Sequence, residues 1–203
     1  MRTILKFSLV IIALLLVANV NAQEKPATFG VKAGMNLSTI TGDATDDVKA
    51  KVGFNVGVTL DYTLTSDLYL LTGLELSTKG CKEDVGLSKD ATSNLMYLQL
   101  PIHLGYKLAV TDATKIVFHA GPYVAYGIGG KTKISESGVE VSVNSFGSNR
   151  VKRFDFGVGL GVGAEFGKIG VGLGYDFGLV NIVDVDNVSN KNANAYLTVG
   201  YKF

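Results

Sequence analysis

Residues 154–178, FDFGVGLGVGAEFGKIGVGLGYDFG, decide the fold of this chain. Apolar side chains alternate with glycine through Val158 and Leu160, and the same alternation resumes at Val171. A period of two residues indicates a β-strand, because successive side chains of a strand point to opposite faces. The interruption at 167–168 predicts a tight turn between two strands. The stretch is therefore a predicted hairpin with one apolar face and one glycine face.

The same alternation continues outward from this hairpin along the chain. It predicts eight strands, at residues 29–38, 52–62, 70–79, 96–107, 116–127, 154–166, 169–179 and 195–203. The connections alternate in length, from long to short and back, at roughly 39–51, 63–67, 80–94, 109–114, 131–153, 167–168 and 183–194. An even number of strands with short turns at one end and long loops at the other is the layout of an outer-membrane barrel, whose short turns lie in the periplasm.

A soluble up-and-down barrel also has eight alternating strands, but it turns the apolar face inward. The glycines argue against that arrangement, because glycine weakens a strand unless close packing requires it. Inside a narrow barrel, small residues on one wall leave room for large residues on the other. The middle strands supply large polar residues, namely Glu75, Lys79, Tyr97, Gln99, His103, Lys107, His119 and Tyr123. We therefore predict an all-β, eight-stranded antiparallel transmembrane β-barrel of OmpA/OmpX-like architecture, with a polar and largely filled lumen.

The N-terminal segment reads as an export signal. Arg2 and Lys6 precede an apolar run at 7–18, and a small-residue cleavage site follows, so we predict a signal peptide at residues 1–22 that is cleaved after Ala22. The alternative is a membrane anchor, but the run is shorter than the ~20 apolar residues that a spanning helix needs. The predicted mature domain is therefore the barrel at 23–203, located in the bacterial outer membrane.

The composition excludes several classes of function. Only 18% of the 203 residues are charged, the formal charge is +1, and there are 25 glycines and one cysteine. Nucleic-acid binding needs an excess of Lys and Arg, so we predict no nucleic-acid partner. Cys81 stands alone in the predicted exported chain, where we expect an ordinary thiol in a loop.

Several segments carry a resemblance to a known family. They are FGVKAGMNLS at 29–38, YLQLPI at 97–102, AGPY at 120–123, FDFG at 154–157, YDFGLVNI at 175–182 and GYKF at 200–203. Together they resemble the outer-membrane β-barrel family often labelled PorT-like or porin-family protein, and the similarity spans nearly the whole mature chain. The resemblance implies an integral outer-membrane barrel exported through a Sec-type signal. It implies no catalytic or ligand-binding residues.

Candidate chemistry is limited to two histidines in the predicted lumen. If the turn at 109–113 sets Leu108 opposite Thr114, His103 lies opposite His119. Two imidazoles are fewer ligands than a structural zinc site uses, so we expect a hydrogen-bonded pair and predict no metal and no cofactor. A Ser–His–Asp triad would need a Ser and an Asp next to one of these histidines, and the sequence pattern does not assemble one. We therefore predict no enzyme. Pro101 and Pro122 fall inside predicted strands, where a missing N–H predicts a local bulge.

Two functions remain open at this point. The first is a structural or surface-interaction role, in which the long outer loops bind extracellular or envelope proteins; the second is a narrow porin-like channel for small solutes. A lumen of eight strands is just wide enough for side chains to fill, which favours the first. The remaining expected partner is outer-membrane lipid, and we expect a monomer.

The loop at 131–153 is the strongest candidate for the working site, because binding residues concentrate on loops held by a rigid scaffold. The alternation of Val139, Val141 and Val143 predicts that the strands on either side of this loop extend beyond the bilayer as a hairpin. The alternative is a flexible solvated loop, since loops of this length are often either functional or disordered. Basic residues near the two ends of the loop are predicted to cluster at the membrane surface, namely Lys131, Lys133, Arg150, Lys152 and Arg153.

Overall fold

The computed structural model describes residues 26–43, 45, 48–84, 89–136, 139–147, 150–184 and 188–203. The strands within these ranges are β1 (Ala27–Gly42), β2 (Val48–Thr63), β3 (Leu68–Asp84), β4 (Lys89–Thr111), β5 (Thr114–Glu136), β6 (Val139–Asn144), β7 (Phe154–Phe166), β8 (Ile169–Gly178) and β9 (Asn190–Lys202). In this part of the chain no helix is long and apolar enough to cross a membrane. The predicted signal peptide at 1–22 lies outside the described residues.

Eight of these strands form a closed antiparallel ring. The strands from β1 to β5 pair in chain order, β5 pairs with β7, and β7, β8 and β9 follow. β1 pairs with β9 and so closes the ring. In chain order β6 lies between β5 and β7, but it is not part of the ring. It pairs with the far end of β5 and forms a projecting hairpin. The predicted eight-stranded antiparallel barrel is confirmed.

The two faces of the wall are assigned as the alternation predicts. Leu197 and Val199 are each 56% exposed on the outer face, whereas the carboxylate of Asp155 and the ammonium of Lys79 are completely buried inside. A water-soluble protein has the reverse arrangement. An apolar exterior around a polar interior is the pattern of a barrel that faces lipid.

The connections differ at the two ends of the barrel. The end that we call the turn end carries the short turns, at 64–67, 112–113 and 167–168. Gly167 has a φ of +59° in the last of these, a left-handed conformation that glycine adopts without strain. The opposite end, which we call the loop end, is where β1 leads into β2, β3 into β4, β6 into β7 and β8 into β9, and it also carries the β5–β6 hairpin.

Strand pairing at the loop end extends further than the sequence predicts. The predicted loop at 80–94 is largely strand, with Cys81 of β3 paired to Ser93 of β4. The predicted loop at 131–153 likewise contains the end of β5 and all of β6. Small and polar residues dominate 80–94, so no apolar alternation marks that extension as strand, whereas the valines of β6 do mark the hairpin. Backbone hydrogen bonds need no such alternation, and the ladder simply continues.

The predicted register between β4 and β5 is wrong by two residues. Leu108 pairs with Ile116 rather than Thr114, and Gly105 pairs with His119. The pairing is irregular between Ala109 and Thr111, next to the turn, and this irregularity sets the register. Because the shift is even, each side chain stays on its predicted face.

The predicted bulge at the prolines is also wrong. The β3–β4 register is the same before and after Pro101, and the β4–β5 register is the same before and after Pro122. The β3–β4 pairing is interrupted at Pro101, and the β4–β5 pairing is interrupted at Pro122. The pairing on the other side of each proline continues. The Pro101 carbonyl oxygen accepts a hydrogen bond of 2.7 Å from the Thr72 hydroxyl, which replaces part of the interrupted ladder.

Cys81 does not lie in a loop. It lies on β3 beyond the lipid-facing apolar band, with its side chain turned inward and 7% exposed. Burial, and then the neighbouring charge of Glu83, raise the pKa of its thiol to about 11. A thiol that stays protonated is a poor nucleophile, so Cys81 is chemically inert.

Candidate functional site

The lumen is built from the inward side chains that the alternation predicts. Its buried polar residues are Asn36, Ser38, Asn55, Asp61, Glu75, Ser77, Lys79, Gln99, His103, Lys107, Asp155, Asp176, Asn192 and Asn194. They come from seven of the eight ring strands, so no single element supplies the site. Polar groups enclosed by a narrow wall must bond to one another, and they separate into three levels along the barrel axis.

The level nearest the loop end contains Lys79, Tyr97, Tyr123 and Asp155, which we call the plug. The Lys79 ammonium lies 3.2 Å from Asp155 Oδ2 and 4.4 Å from the centre of the Tyr123 ring. The Tyr123 hydroxyl donates to the same oxygen at 3.4 Å, and the Asn192 amide donates to it at 2.9 Å. All four plug side chains are completely buried, so they close the lumen at this level.

A cap of loop residues covers the plug. Phe146, which follows β6, packs its ring edge-on against Tyr97, with 5.6 Å between ring centres. Gly127 makes room for this ring, because a Cβ at Gly127 would lie 2.3 Å from it. The Arg153 guanidinium lies 5.2 Å from the centre of the Phe146 ring, and Ile182 is completely buried.

The sequence does not predict this cap. Phe146 is a single aromatic in a predicted loop, and nothing in its neighbourhood indicates that it folds back into the barrel. The one available signal is the inward glycine at 127, which leaves a gap beside the large inward side chain of Tyr123. An inward gap in a filled lumen requires something to fill it.

The middle level holds the two histidines. His103 Nδ1 and His119 Nδ1 are 2.9 Å apart, and the rings stack with 5.1 Å between centres. They face the glycine wall, where a Cβ on Gly161 would lie 2.5 Å from His119 Nε2. The predicted fit of large residues against glycines is therefore confirmed. The structure brings the two histidines together even though they are not directly opposite in the ladder.

The middle level is open enough for water but shows no metal cluster. A cavity of about 160 Å³ is lined by both histidines, Lys32 and Glu75, and the Lys32 ammonium is 2.6 Å from the Glu75 carboxylate. Among the described residues no group of three His, Cys, Asp or Glu side chains is placed to hold a metal ion. His103 Nε2 is buried without a protein partner.

The level nearest the turn end contains Asp61, Lys107, Glu165 and Lys202, which we call the turn-end cluster. Lys107 Nζ is 2.6 Å from Asp61 Oδ2 and 3.1 Å from Glu165 Oε1. Lys202 contacts the same two carboxylates, with 2.5 Å to Glu165. The cluster borders a second cavity of about 140 Å³. The alternation places these residues in the lumen, but only the closure of β1 on β9 brings Lys202 next to Asp61.

The predicted hairpin in the loop 131–153 is present. β5 and β6 pair from Lys131 with Asn144 to Glu136 with Val139, beyond the ring. The prediction makes the return strand of this hairpin an extension of β7. In the structure the return strand is the separate strand β6. Val141 is 53% exposed on this hairpin.

The basic residues of this loop do not form one cluster. Lys133 pairs with Glu140 at 2.8 Å, Lys152 lies 3.7 Å from Asp184, and Arg153 turns toward the cap. Arg150 donates to the backbone oxygen of Asn144. Four of the five basic residues therefore have protein partners, and the predicted contact with lipid headgroups stays a prediction.

Comparison with known proteins agrees with the barrel architecture. A sequence model of the family described as "Outer membrane protein beta-barrel domain" matches residues 21–184. No curated protein matches the chain.

Similar solved structures have low sequence identity to the chain. Neisserial surface protein A is 15% identical, with 87% of this chain and 99% of that chain covered and a TM-score of 0.49. OprG from Pseudomonas aeruginosa is 14% identical, with 88% and 97% covered and a TM-score of 0.48. Ail, the attachment invasion locus protein of Yersinia pestis, is 17% identical, with 88% and 99% covered and a TM-score of 0.44.

Proposed function

Because the chain belongs to the outer membrane protein β-barrel domain family, we propose that it is an integral outer-membrane barrel that works through its outer segments and not through its lumen. In this orientation the turn end faces the periplasm and the loop end faces the outside of the cell. The β5–β6 hairpin then projects from the outer surface. Its role is structural or surface-interacting, with extracellular or envelope proteins as partners.

The closed lumen carries this proposal. The plug fills the cross-section with a Lys–Asp pair and two tyrosines that are completely buried, and Phe146 and Ile182 cover it. A solute would have to displace the cap and then separate a buried ion pair. Breaking such a pair costs about 3–5 kcal/mol, since the remaining charge is left without a partner in a dry site.

The projecting hairpin supports the same proposal. β6 pairs with β5 on one side and ends the sheet on the other, within the part of the chain that the structure describes. Val141 and Val143 on this strand are exposed, and both lie beyond the ring. Exposed apolar side chains on a rigid projecting strand favour a binding role over an inert one.

The test separates the hairpin from the cap. Replacing residues 134–141 by Asn-Gly shortens the hairpin and leaves Phe146 in place, whereas Phe146→Ala removes the cap and leaves the hairpin. We expect the shortened variant to assemble, shown by its heat-modifiable migration, and to lose the phenotype that depends on the protein. Full function in a shortened barrel that assembles would overturn the proposal.

A narrow solute channel is the second candidate, and the two lumen cavities favour it. Cavities of about 160 and 140 Å³ lie below the plug, and Lys32, Asp61 and His119 line both of them. We expect the wild-type protein to show no steady conductance in planar bilayers. Large and stable wild-type currents would promote the channel and refute the closed lumen.

Three finer assignments belong to the same proposal. Membership of a PorT-like subgroup rests on the resemblance of the quoted segments, and export rests on the predicted signal peptide at 1–22. A monomeric state is supported by the closed ring, which offers no open strand edge within the barrel. A non-enzymatic role is supported by the histidines, whose Nδ1 atoms bond to each other.

A further inference from the structure

Two β-bulges reshape the outer face of the barrel near the loop end. In β2 the register shifts between Ala50 and Asn55, and in the β4–β5 ladder it shifts between Met96 and Tyr97. A bulge adds one residue to one strand, so the side chains beyond it exchange faces. The two bulges lie on strands that flank β3 and β4.

The bulge in β5 moves two lysines from the lumen side to the outer side. Before it, Tyr123 and Gly127 point inward at odd positions. Beyond it, Thr132 points inward, where its hydroxyl lies 2.9 Å from that of Ser145, so Lys131 and Lys133 point outward. A regular strand would have buried both ammonium groups in the lumen.

The bulge in β2 acts on Lys51 in the same way. Ala50 and Asn55 are both partners of inward residues although one number is even and the other odd. Val52 is 61% exposed on the outer face, and Lys51 lines the outer groove described next. Lys51 lies just beyond the apolar band, and burial, followed by the like charge of Lys82, lowers the pKa of its ammonium group.

Between these strands lies a groove that is open to the outside. Its volume is about 650 Å³, and its floor and walls include Val52, Phe54, Thr78, Met96 and Gly129. Lys51 borders it on one side, and Lys131 and Lys133 border it on the other. The apolar residues continue the lipid-facing band, whereas the lysines stand at its outer edge. Glu140 pairs with Lys133 at 2.8 Å.

We propose that this groove binds one anionic amphiphile of the outer leaflet, with its phosphate headgroup among Lys51, Lys131 and Lys133 and the first part of an acyl chain on Val52, Phe54 and Met96. Charge complementarity selects the headgroup, since each Lys near a membrane surface attracts anionic lipid. The apolar floor requires the acyl chain, which a free phosphate cannot supply. The occupant is therefore a lipid and not a soluble anion.

The experiment uses the full mature barrel in nanodiscs of phosphatidylcholine with a minority of phosphatidylglycerol. Native mass spectrometry then counts the lipids that stay bound when the protein is released. We expect wild-type protein to retain phosphatidylglycerol well above its share of the membrane. Lys131→Gln with Lys133→Gln should reduce that enrichment about tenfold, on the order expected for two lysines.

Two further variants keep the test decisive. Lys115→Gln with Lys168→Gln removes the same charge at the turn end and should leave the enrichment unchanged. Glu140→Gln frees Lys133 from its pair and should increase it. Retention in proportion to the membrane, or equal losses in the two double variants, would overturn the proposal. Displacement of the lipid by millimolar inorganic phosphate would also overturn it, because a soluble anion would then suffice.

Discussion

The two ends of the lumen use the same chemical groups in opposite ways. The plug holds Lys79 against Asp155 with no exposed surface, whereas the turn-end cluster holds Lys202 and Lys107 against two carboxylates, with the Lys202 side chain 21% exposed. The plug contains one cation and one anion and has no solvent-exposed surface. The turn-end cluster has two cations, two anions and solvent nearby, so any one charge has a substitute.

This difference separates two roles for an ion pair. A dry pair contributes little net stability, but it resists separation because the remaining charge has nowhere to go. A wet network screens its charges and tolerates the loss of one member. The plug is therefore suited to closing the lumen, and the turn-end cluster to tying β9 to β2 and β7 at the seam of the ring.

The largest expected effect is that of Lys79→Met. The variant leaves the Asp155 carboxylate buried with only the Tyr123 hydroxyl and the Asn192 amide as donors, so we expect a loss of about 3–5 kcal/mol in the free energy of unfolding. Urea titration of the barrel in lipid vesicles measures it. Adding Asp155→Asn removes the orphaned charge and should recover most of the loss. A double variant no more stable than Lys79→Met would contradict the dry-pair interpretation.

Removal of the cap should rank second. Phe146→Ala leaves a void over Tyr97 and Gly127, and we expect a loss of about 3 kcal/mol, at the lower end of the range for this substitution in a core. The same titration measures it, with Val141→Ala on the exposed hairpin as the control. If Phe146→Ala costs no more than Val141→Ala, the ring does not seal the loop end.

The faces of the barrel are predictable from the sequence, and the details at the loop end are not. Alternation alone places Asp155, Lys79 and His103 in the lumen, because side chains of a strand alternate without regard to distant contacts. The contact of His103 with His119 survives a register error of two residues for the same reason.

A bulge, by contrast, depends on the pairing of two strands, and the sequence of one strand carries no clear mark of it. In a regular continuation of β5, Lys131 and Lys133 would point into the lumen, and the structure places them outside. The position of Phe146 is equally unpredictable from the sequence. Its contact with Tyr97 joins a connection to the barrel interior, and no local pattern encodes it.

Lys202→Met makes the matched comparison with Lys79→Met, because the same side chain is removed from a wetter site. Lys107 still contacts both Asp61 and Glu165, so neither carboxylate is orphaned. We expect a loss of about 1 kcal/mol or less. A loss as large as that of Lys79→Met would mean that the turn end is as dry as the plug.

The smallest expected effect is the salt dependence of the stability losses caused by Lys202→Met and Lys79→Met. It is also the sharpest test of the comparison. Raising the ionic strength from 0.1 to 1 M shortens the screening length from about 10 Å to about 3 Å, which weakens exposed charge pairs and barely changes buried ones. The cost of Lys202→Met should therefore shrink by about half or more, because the network it disrupts is already weakened in the wild type. The cost of Lys79→Met should stay the same, since no ions reach Asp155. Parallel urea titrations at the two salt concentrations give both numbers, and an equal salt dependence of the two costs would remove the distinction between a dry and a wet end.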